Sequence, residues 1–292
     1  MIEVRRVGVV ANSDKPAALD YAKEAVRYLL GKVDELVLQH PVAHAVGRGD
    51  LAADDHDVAS TDVVLVFGGD GTILRASRLC APLGTPMLGV NLGRFGFLNE
   101  IPPENLCPSL DRLIEGDFDI SSRLTLECRV QRGEQTIGSD IALNEVVVAH
   151  GRLARVLQLS IAINNKFLTS YAADGIIVAT PTGSTAYSLS AGGPLVHPSI
   201  RTMLLTPICP HTLTTRALLV PEDHEIAISV DRADGDVIQV TIDGQRGLPM
   251  DPHDLVIVRR SPTPARLITH IGGDSFYEKL QSKLHWGESV VY

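Results

Sequence analysis

The sequence predicts an α/β domain with a parallel sheet, followed by a second domain that is rich in β-strands. In roughly the first hundred residues, short apolar runs alternate with helical apolar periodicity, which is typical of a parallel sheet covered on both faces. From about residue 120, apolar and polar residues alternate, as in half-buried strands. At ~150 residues a domain, 292 residues correspond to two domains. We place the first at 1–118, with 275–292 returning to it, and the second at 119–274.

Apolar periodicity predicts the elements of the first domain in order. A strand at 7–11 ends in a polar turn, and apolar residues at helical spacing then predict a helix over 18–30 with Gly31 as its C-cap. The segment 40–60 is rich in Ala, Gly and Asp and lacks periodicity, so we expect a loop there. The remaining elements are a strand at 35–39, a buried strand at 62–67, a helix at 73–80 and a short strand at 87–90.

Short apolar runs separated by turn sequences predict the strands of the second domain. These runs cover 124–130, 141–149, 156–163, 176–179, 225–230, 237–242 and 255–259. The turns are marked by Asn164-Asn165, Asp234-Gly235 and Asp243-Gly244. Near the end of the chain, Ser275 and Glu278 form the pattern of a capping box, which predicts a helix over 275–284.

Composition excludes several classes of protein. Hydrophobic residues make up 45% of the chain and charged residues 21%, as in globular proteins rather than disordered or collagen-like chains. The formal net charge of −9 argues against non-specific binding to nucleic acid or to an anionic membrane. The longest wholly apolar run near the start, 63–67, is far short of the ~20 residues that span a bilayer. We therefore expect a cytoplasmic protein with no membrane partner.

Neither the cysteines nor the histidines predict a metal site. The cysteines are scattered, lack zinc-site spacing and are expected to be reduced core thiols: Cys80, Cys107, Cys128 and Cys209. His40 and His44 stand four residues apart, but we expect Pro41 between them to prevent the helix that would place both on one face. The acidic cluster at 54–57 is expected to be a solvated loop.

The sharpest local feature is the run Gly68-Gly69-Asp70-Gly71-Thr72, which lies between a predicted buried strand and a predicted helix. Glycines let backbone N–H groups approach an anion closely, and a helix N-terminus adds partial positive charge, so the run predicts a phosphate site. A carboxylate there repels phosphate, so its presence in a phosphate site suggests a specific function. Asp70 could take a proton from a hydroxyl nucleophile or hold Mg²⁺, and the structural alternative is an N-cap in a tight turn.

Other phosphate-binding and nucleophile motifs are missing from the sequence. It contains neither the Walker pattern G-x-x-x-x-G-K-[ST] nor the dinucleotide fingerprint G-x-G-x-x-G. It also lacks the protein-kinase triplet H-R-D and the nucleophile elbow G-x-S-x-G. A phosphoryl transfer by this chain would therefore use a different cradle.

A second polar run begins at Thr180 and ends at Pro194, reading Thr-Pro-Thr-Gly-Ser-Thr-Ala-Tyr-Ser-Leu-Ser-Ala-Gly-Gly-Pro, shortly after Asp174-Gly175. Hydroxyl residues and glycines at this density favour neither a core strand nor a stable surface helix, so they predict a loop. Such a loop is rich in short donors and acceptors that suit a nucleoside and its phosphates. The alternative is an ordinary Ser/Thr/Gly surface loop.

Two polar residues, Asn144 and Glu145, interrupt the apolar run predicted as a strand over 141–149. Adjacent strand residues point to opposite faces, so at least one of the two faces the covered side. A buried Asn or Glu needs a hydrogen-bond partner, and the hydroxyls of a ribose would supply one. The alternative is a charged residue on an exposed face or edge of the strand.

Together these motifs resemble the NAD kinase family, and the resemblance covers nearly the whole chain. Its parts occur in family order: the glycine run at 68–72, Asn91-Leu-Gly-x-Phe-Gly-Phe-Leu98, Asn144-Glu145, Asp174-Gly175 and the run 180–194. The Gly-Gly-Asp-Gly piece alone also resembles loops of lipid kinases and phosphofructokinases. The long Thr/Gly/Ser run with Asn144-Glu145 upstream is far more specific.

The resemblance implies a Rossmann-like α/β domain and a C-terminal β-rich domain with the active site between them. It implies transfer of the terminal phosphoryl group of ATP, or of inorganic polyphosphate, to the 2′-hydroxyl of the adenosine ribose of NAD, giving NADP. The implied cofactor is a divalent metal, Mg²⁺, and the implied assembly is a homotetramer or homodimer. A 2′-hydroxyl is a poor nucleophile, so a positioned carboxylate helps, while orientation and charge neutralisation supply the rest.

The resemblance also implies a role for each site residue by its position. Asp70 matches the family's proton acceptor, Gly71 its neighbour at the phosphates and Arg75 a donor-side cation. Gly68, Gly69 and Thr72 complete the phosphate loop. The residues that match nucleotide contacts are Asn144, Glu145, Arg155, Ala172, Asp174, Thr185, Ala186, Tyr187, Ser188, Leu189, Ser190 and Gln245.

The sequence departs from the family pattern at two places. The segment 12–16 is looser than the family's Asn-Pro pattern, and Ala172 stands where some members carry a larger polar or basic side chain. Because Ala172 cannot sense the charge of a nicotinamide ring, we expect some phosphorylation of NADH beside NAD.

A lipid or sugar kinase that shares only the glycine loop would leave the run 182–190 unexplained. A catalytically silent dinucleotide-binding protein would not need Asp70.

Overall fold

The computed structural model describes residues 3–92, 96–151, 156–232, 238–273 and 275–285, and it divides into two compact units. The first unit contains Met1–Ser122 and Ala265–Tyr292, and the second contains Arg123–Pro264. The boundaries predicted from the sequence, at 118 and 275, differ from these. The chain returns to the first unit earlier because strand β19 (Ala265–Thr269) pairs in parallel with β5 (Pro86–Asn91).

The first unit is built on a sheet of seven strands in the order β3-β2-β1-β4-β5-β19-β6. Besides β5 and β19, its strands are β1 (Arg6–Ala11), β2 (Glu35–Gln39), β3 (Ala52–Ala53), β4 (Val63–Gly68) and β6 (Asp119–Arg123). From β3 through β19, each neighbouring pair of strands is parallel, as the alternating pattern predicts. The strand order reverses between β1 and β4, and such a switch point is where open α/β sheets bind ligands.

Helices complete the first unit. They are α1 (Pro16–Leu29), α2 (His40–Val46), α3 (Asp55–Ala59), α4 (Asp70–Cys80), α5 (Leu106–Glu115) and α7 (Phe276–Leu284). The helix predicted over 18–30 corresponds to α1, which buries an apolar face of small and branched side chains. The capping box predicted at the start of α7 is confirmed, because Ser275 and Glu278 bond reciprocally to each other's backbone N–H.

The prediction of a loop over 40–60 is wrong, because α2, β3 and α3 lie within it. Pro41 lies in the first turn of α2, where the N–H that proline lacks has no partner within the helix. Pro41 therefore does not prevent the helix between His40 and His44. Asp54 caps α3 by accepting a hydrogen bond of 2.8 Å from the N–H of Asp57.

The second unit consists of two antiparallel six-stranded sheets, in the orders β11-β10-β15-β18-β7-β8 and β14-β13-β12-β9-β16-β17. The first contains β7 (Leu126–Arg132), β8 (Gln135–Ala142), β10 (Leu157–Ile163), β11 (Lys166–Ala173), β15 (Ile226–Arg232) and β18 (Leu255–Arg260). The second contains β9 (Glu145–His150), β12 (Gly175–Ala179), β13 (Thr202–Ile208), β14 (Leu218–Pro221), β16 (Ile238–Ile242) and β17 (Arg246–Met250). The short helix α6 (Tyr187–Ser190) follows β12.

The two sheets share one apolar core, as in a β-sandwich. The central strands of the second sheet are also buried on their outer face, where Ile177 and Leu204 pack with Val196 and with the half-buried Ala191. The segment that follows β12 therefore covers the outside of this sheet. This is the segment whose hydroxyl residues and glycines predict a nucleotide site.

The burial of the cysteines tests the prediction that all four are core thiols. Cys80 and Cys128 are buried, and burial raises the pKa of each thiol to about 12, as expected for core thiols. Cys107 is half-buried and Cys209 is exposed, so the prediction of four core thiols is wrong for these two. None of the described helices has the length and apolarity needed to cross a membrane.

Candidate active site

The glycine run lies at the switch point of the first sheet. Strand β4 ends at Gly68, Gly69 is the N-cap, and α4 begins at Asp70, three residues before the predicted start at 73. A Cβ on Gly68 would lie 2.2 Å from the Oγ1 of the buried Thr72, so this position needs glycine. The exposed Gly71 leaves the first turn of α4 open to a ligand. The glycine run thus lies at the N-terminus of a helix, whose dipole favours negative charge.

Asp70 is not the N-cap, because its carboxylate bonds to a different segment of the chain. Its Oδ2 accepts a hydrogen bond of 2.8 Å from the N–H of Phe97. Its Oδ1 accepts bonds of 3.2 Å from the N–H of Leu98 and 3.0 Å from the Nδ2 of Asn99. A Cβ on Gly96 would lie 1.8 Å from the same Oδ1, so that glycine makes room for the carboxylate. Three donors thus fix the orientation of Asp70 beside the phosphate loop.

The segment that orients Asp70 is itself held by a buried ion pair. The Nζ of Lys279, on α7, lies 3.0 Å from the carbonyl oxygen of Asn99 and 3.2 Å from Oε2 of Glu100. The other carboxylate oxygen of Glu100 accepts a bond of 2.9 Å from the N–H of His270. Lys279 is 7% exposed and Glu100 6%, so each charge depends on the other. The sequence motifs did not identify this pair.

Arg75 projects from the second turn of α4 and is exposed. Its Nη2 donates a hydrogen bond of 3.1 Å to the carbonyl oxygen of Ala11, the last residue of β1. Arg75 therefore lies at the switch point, on the same side as the phosphate loop. One of its donors is already committed to the backbone.

In the second unit, Asn144 and Glu145 are not inside one strand as predicted. Asn144 lies in the bend between β8 and β9, and Glu145 is the first residue of β9. The carboxylate of Asp243 forms this bend by accepting hydrogen bonds from three consecutive N–H groups, those of Leu143 at 3.0 Å, Asn144 at 2.8 Å and Glu145 at 3.2 Å. The sequence marks Asp243 only as a turn residue.

Both members of this pair present buried acceptors that no described residue satisfies. They are Oδ1 of Asn144 and Oε2 of Glu145. Burial raises the pKa of Glu145 to about 8, and the nearby charge of Asp243 adds to the rise. Buried polar atoms are normally hydrogen-bonded, so these two oxygens mark a place for a ligand with hydroxyl groups, which can both donate and accept.

The polar run after β12 is more ordered than the predicted loop, because it forms a 3₁₀ turn at Thr182–Thr185 and the single-turn helix α6. The hydroxyl of Ser184 donates to the carbonyl oxygen of Pro181 at 2.7 Å and accepts from the N–H of Val196 at 3.0 Å. The hydroxyl of Ser188 bonds to that of Thr206 at 2.9 Å. Hydrogen bonds of these buried hydroxyls therefore hold this short segment in place.

Five other residues of this run are accessible to a ligand. Thr185, Ala186 and Leu189 are half-buried, whereas Tyr187 and Ser190 are exposed. The backbone N–H of Tyr187 hydrogen-bonds to the carboxyl group of Glu145, and the N–H of Thr180 donates to the carbonyl oxygen of Asn144 at 2.8 Å. A Cβ on Gly183 would lie 2.1 Å from that same carbonyl oxygen. The run and the bend at 143–145 therefore form one surface.

The other described residues that we predicted to contact the nucleotide lie on three different segments of the chain. Gln245 follows Asp243 in the turn between β16 and β17 and is exposed. Asp174 stands just before β12, at the end opposite to Ala179, which pairs with Glu145. Ala172, in β11, is half-buried, and its carbonyl oxygen accepts from the N–H of His211 at 2.9 Å. Arg155 lies outside the described residues.

An oriented carboxylate at a glycine-rich helix N-terminus in one unit, and a polar surface with unpartnered buried oxygens in the other, are features of a phosphotransferase. Family models agree, since the ATP-NAD kinase N-terminal domain matches residues 7–118 and the ATP-NAD kinase C-terminal domain matches residues 143–270. The chain belongs to the NAD kinase family, whose members are phosphotransferases with an alcohol group as acceptor. Membership excludes a lipid or sugar kinase that shares only the glycine loop.

Individual relatives cover nearly all of the chain. The NAD kinase of Moorella thermoacetica is 45% identical over 98% of this chain and 91% of its own length. That of Heliobacterium modesticaldum is 42% identical, over 96% and 99%. Among solved structures, yeast NADH kinase in complex with NADH superposes with a TM-score of 0.88 at 25% identity, over 98% of this chain and 89% of that one. An NAD kinase from Archaeoglobus fulgidus in complex with ATP gives 0.75 at 25% identity, over 96% and 98%.

Proposed function

We propose that this chain transfers the terminal phosphoryl group of ATP to the 2′-hydroxyl of the adenosine ribose of NAD, giving NADP and ADP. The observation that carries the proposal is the carboxylate of Asp70, oriented by three donors at the mouth of a glycine-rich helix N-terminus. Relatives at 38–45% identity are NAD kinases, which supports the same acceptor here.

The donor phosphates bind at the glycine loop. Gly69 and Gly71 carry no side chains that would keep an anion away from the first backbone N–H groups of α4, and the helix dipole favours negative charge there. Arg75 adds a cation at the same edge of the sheet. Inorganic polyphosphate presents the same phosphate chemistry as ATP, so we propose it as an alternative donor.

Asp70 acts as the general base. As the 2′-oxygen attacks, a bond forms between it and the transferred phosphorus, and the bond from that phosphorus to the bridging oxygen breaks. The proton of the 2′-hydroxyl passes to Asp70, and ADP leaves. Because the donors from 97–99 hold the carboxylate in one orientation, little reorganisation is needed when the ribose arrives.

A divalent metal fits the donor set of the loop, and we propose Mg²⁺. Mg²⁺ is usually held by one or two carboxylates together with substrate phosphates, and Asp70 is the single carboxylate in the run 68–72. Its two oxygens accept three hydrogen bonds, which leaves about one of their ~four lone-pair sites for a further contact. When bound, the metal neutralises charge on the phosphoryl oxygens.

NAD binds on the surface formed by the bend at 143–145 and the run 180–190. The unpartnered oxygens of Asn144 and Glu145 suit ribose hydroxyls, and Thr185 through Ser190 line the adenosine. An extended dinucleotide that follows β12 reaches Asp174, ~17 Å away at ~3.3 Å per residue. We therefore propose that the nicotinamide lies near Asp174 and Ala172.

NADH is expected to be a second acceptor. Ala172 offers no charge that would distinguish an oxidised from a reduced nicotinamide ring. Parallel kinetics with NAD and NADH test this, and a kcat/KM ratio above ~1,000 in favour of NAD would count against it.

We also propose a homodimer or homotetramer. The edge strands β11 and β14 expose apolar side chains, with Phe167 72% exposed and Leu219 50%. Folding of one chain leaves these side chains uncovered, and contact with a second copy would cover them. Light scattering at micromolar concentration tests this, and a single ~31 kDa species would contradict it. A cytoplasmic location stays a prediction.

The direct test of the function is incubation of the protein with NAD, ATP and Mg²⁺, followed by an assay for NADP. A parallel reaction with polyphosphate in place of ATP tests the donor. We expect NADP with ATP. Binding of NAD without any NADP from either donor would instead support a catalytically silent dinucleotide-binding protein.

A further inference from the structure

The transferred phosphoryl group needs positive charge that the glycine loop does not supply. The run 68–72 contains no Lys or Arg, and it contributes the negative charge of Asp70. Arg75 is near, but one of its donors bonds to the carbonyl oxygen of Ala11. Phosphoryl transfer depends mainly on orientation and charge neutralisation, so a further cation near Asp70 would matter to the rate.

Helix α7 brings two lysines to the segment that orients Asp70. Phe276, Lys279 and Lys283 stand at spacings of three and four residues and therefore share one face of the helix. The ring centroid of Phe276 lies 6.3 Å from that of Phe97, and the Nζ of Lys283 lies 4.3 Å from the same Phe97 centroid. Phe97 is also the residue whose N–H donates to Asp70 at 2.8 Å.

The two lysines have different electrostatic partners. Lys279 is buried and its charge is balanced by Glu100, so it serves to hold α7 against the segment. Lys283 is half-buried and forms no ion pair with any of the described residues; its ammonium lies over the ring of Phe97. Burial lowers the pKa of Lys283, the negative charge of Asp70 acts in the opposite direction, and the positive charge of Lys279 lowers the pKa further.

We propose that Lys283 binds the terminal phosphoryl group of the donor and neutralises its charge during transfer. The inference rests on the proposed function of the glycine loop and adds to it a cation from the last described helix. The buried Lys279–Glu100 pair fixes α7, and the aromatic face of Phe97 holds the ammonium against the segment that orients Asp70, at modest desolvation cost. A lysine is a compact charge that can follow a phosphoryl group over a short distance.

Three variants test the proposal by kinetics. Lys283→Met keeps the unbranched side chain over Phe97 and removes the charge, Lys283→Arg keeps the charge, and Gln281→Met is a matched control on the exposed part of the same helix. We expect kcat/KM for ATP to fall at least ~30-fold in Lys283→Met and to recover in part in Lys283→Arg. The KM for NAD should change less than ~3-fold, and Gln281→Met should match the wild type.

Calorimetric titration of MgATP into each protein gives a readout that does not depend on turnover. We expect Lys283→Met to bind MgATP ~10-fold more weakly and its affinity to depend less steeply on KCl concentration. A folded Lys283→Met protein with kcat/KM and MgATP affinity within ~3-fold of wild type overturns the inference. So does a loss that Lys283→Arg does not restore and that accompanies a lower unfolding midpoint. If the wild type binds MgATP through Lys283 but makes no NADP, the proposed function fails and this inference stands.

Discussion

Replacing Glu145 by glutamine should stabilise the folded protein at alkaline pH. Burial raises the pKa of Glu145 from 4.5 to about 8, and the charge of Asp243 contributes in the same direction. Between these two values the folded protein keeps a proton that the unfolded chain has lost. Because the folded state binds more protons, stability falls as pH rises from about 4.5 through about 8 and then levels off. A glutamine side chain at this position carries no charge at any pH, so the substitution removes this loss.

The size of the effect follows from the shift. At ~1.4 kcal/mol per pKa unit, the rise to about 8 corresponds to an upper limit of ~5 kcal/mol above pH 8. Local relaxation around the ionised carboxylate reduces the limit, so we expect Glu145→Gln to be ~2–4 kcal/mol more stable than wild type at pH 8.5. At pH 5 both side chains are neutral, and the difference should shrink to within ~1 kcal/mol.

Urea denaturation of both proteins at pH 5, 7 and 8.5, without nucleotide, measures the free energy of unfolding. Nucleotide must be absent because Glu145 belongs to the proposed NAD site. Glu134→Gln makes the same chemical change on an exposed turn and should leave the pH dependence as it is. If the stability curves of wild type and Glu145→Gln run parallel from pH 5 to 8.5, the account of a buried, neutral Glu145 is refuted.

Two further variants test the surroundings of Asp70. Gly96→Ala should lower kcat ~10-fold or more, since its Cβ would lie 1.8 Å from Oδ1 of Asp70; an unchanged kcat in the folded variant would contradict this. Lys279→Met should cost ~3–5 kcal/mol in urea denaturation, since it leaves the buried charge of Glu100 without an opposite charge. The double variant Lys279→Met/Glu100→Gln should regain part of that loss, and equal losses in both would count against a buried ion pair.

Local sequence patterns predict the parts of this molecule that local interactions determine. Strand β4, the glycine run and the capping box of α7 follow from periodicity, backbone freedom and spacing within a few residues. The helix α2 was missed because Pro41 suggests a break, although proline is well tolerated in a first helical turn. In a segment as short as α2, the prediction depends on where a single proline lies relative to the start of the helix.

The arrangement of the site depends on contacts between distant residues. The donors that orient Asp70 stand 27 to 29 residues later, and the lysine that supports them 180 residues after Asn99. The strand predicted over 141–149 runs through the bend at Asn144, because the acceptor that bends the chain is Asp243, 99 residues away. No periodicity encodes such pairs. The family resemblance located Asp70 and Asn144-Glu145, and the structure adds what holds them.

The central claim is that Asp70 accepts a proton from the 2′-hydroxyl of NAD, and Asp70→Asn tests it most directly. In this variant an amide N–H₂ faces either the donors of both Leu98 and Asn99 or the N–H of Phe97, so part of any loss comes from a disturbed segment. The double variant Asp70→Asn/Asn99→Asp restores a matched donor and acceptor between the two side chains and serves as the control for folding.

The measurement is kcat for NADP formation from NAD, ATP and Mg²⁺, together with the Kd for NAD and the unfolding midpoint. We expect kcat to fall at least ~100-fold in both variants, with NAD affinity within ~10-fold of wild type and stability restored in the double variant. Recovery of the rate at high Mg²⁺ would assign Asp70 to the metal instead. A folded Asp70→Asn protein with the kcat of the wild type would contradict the account.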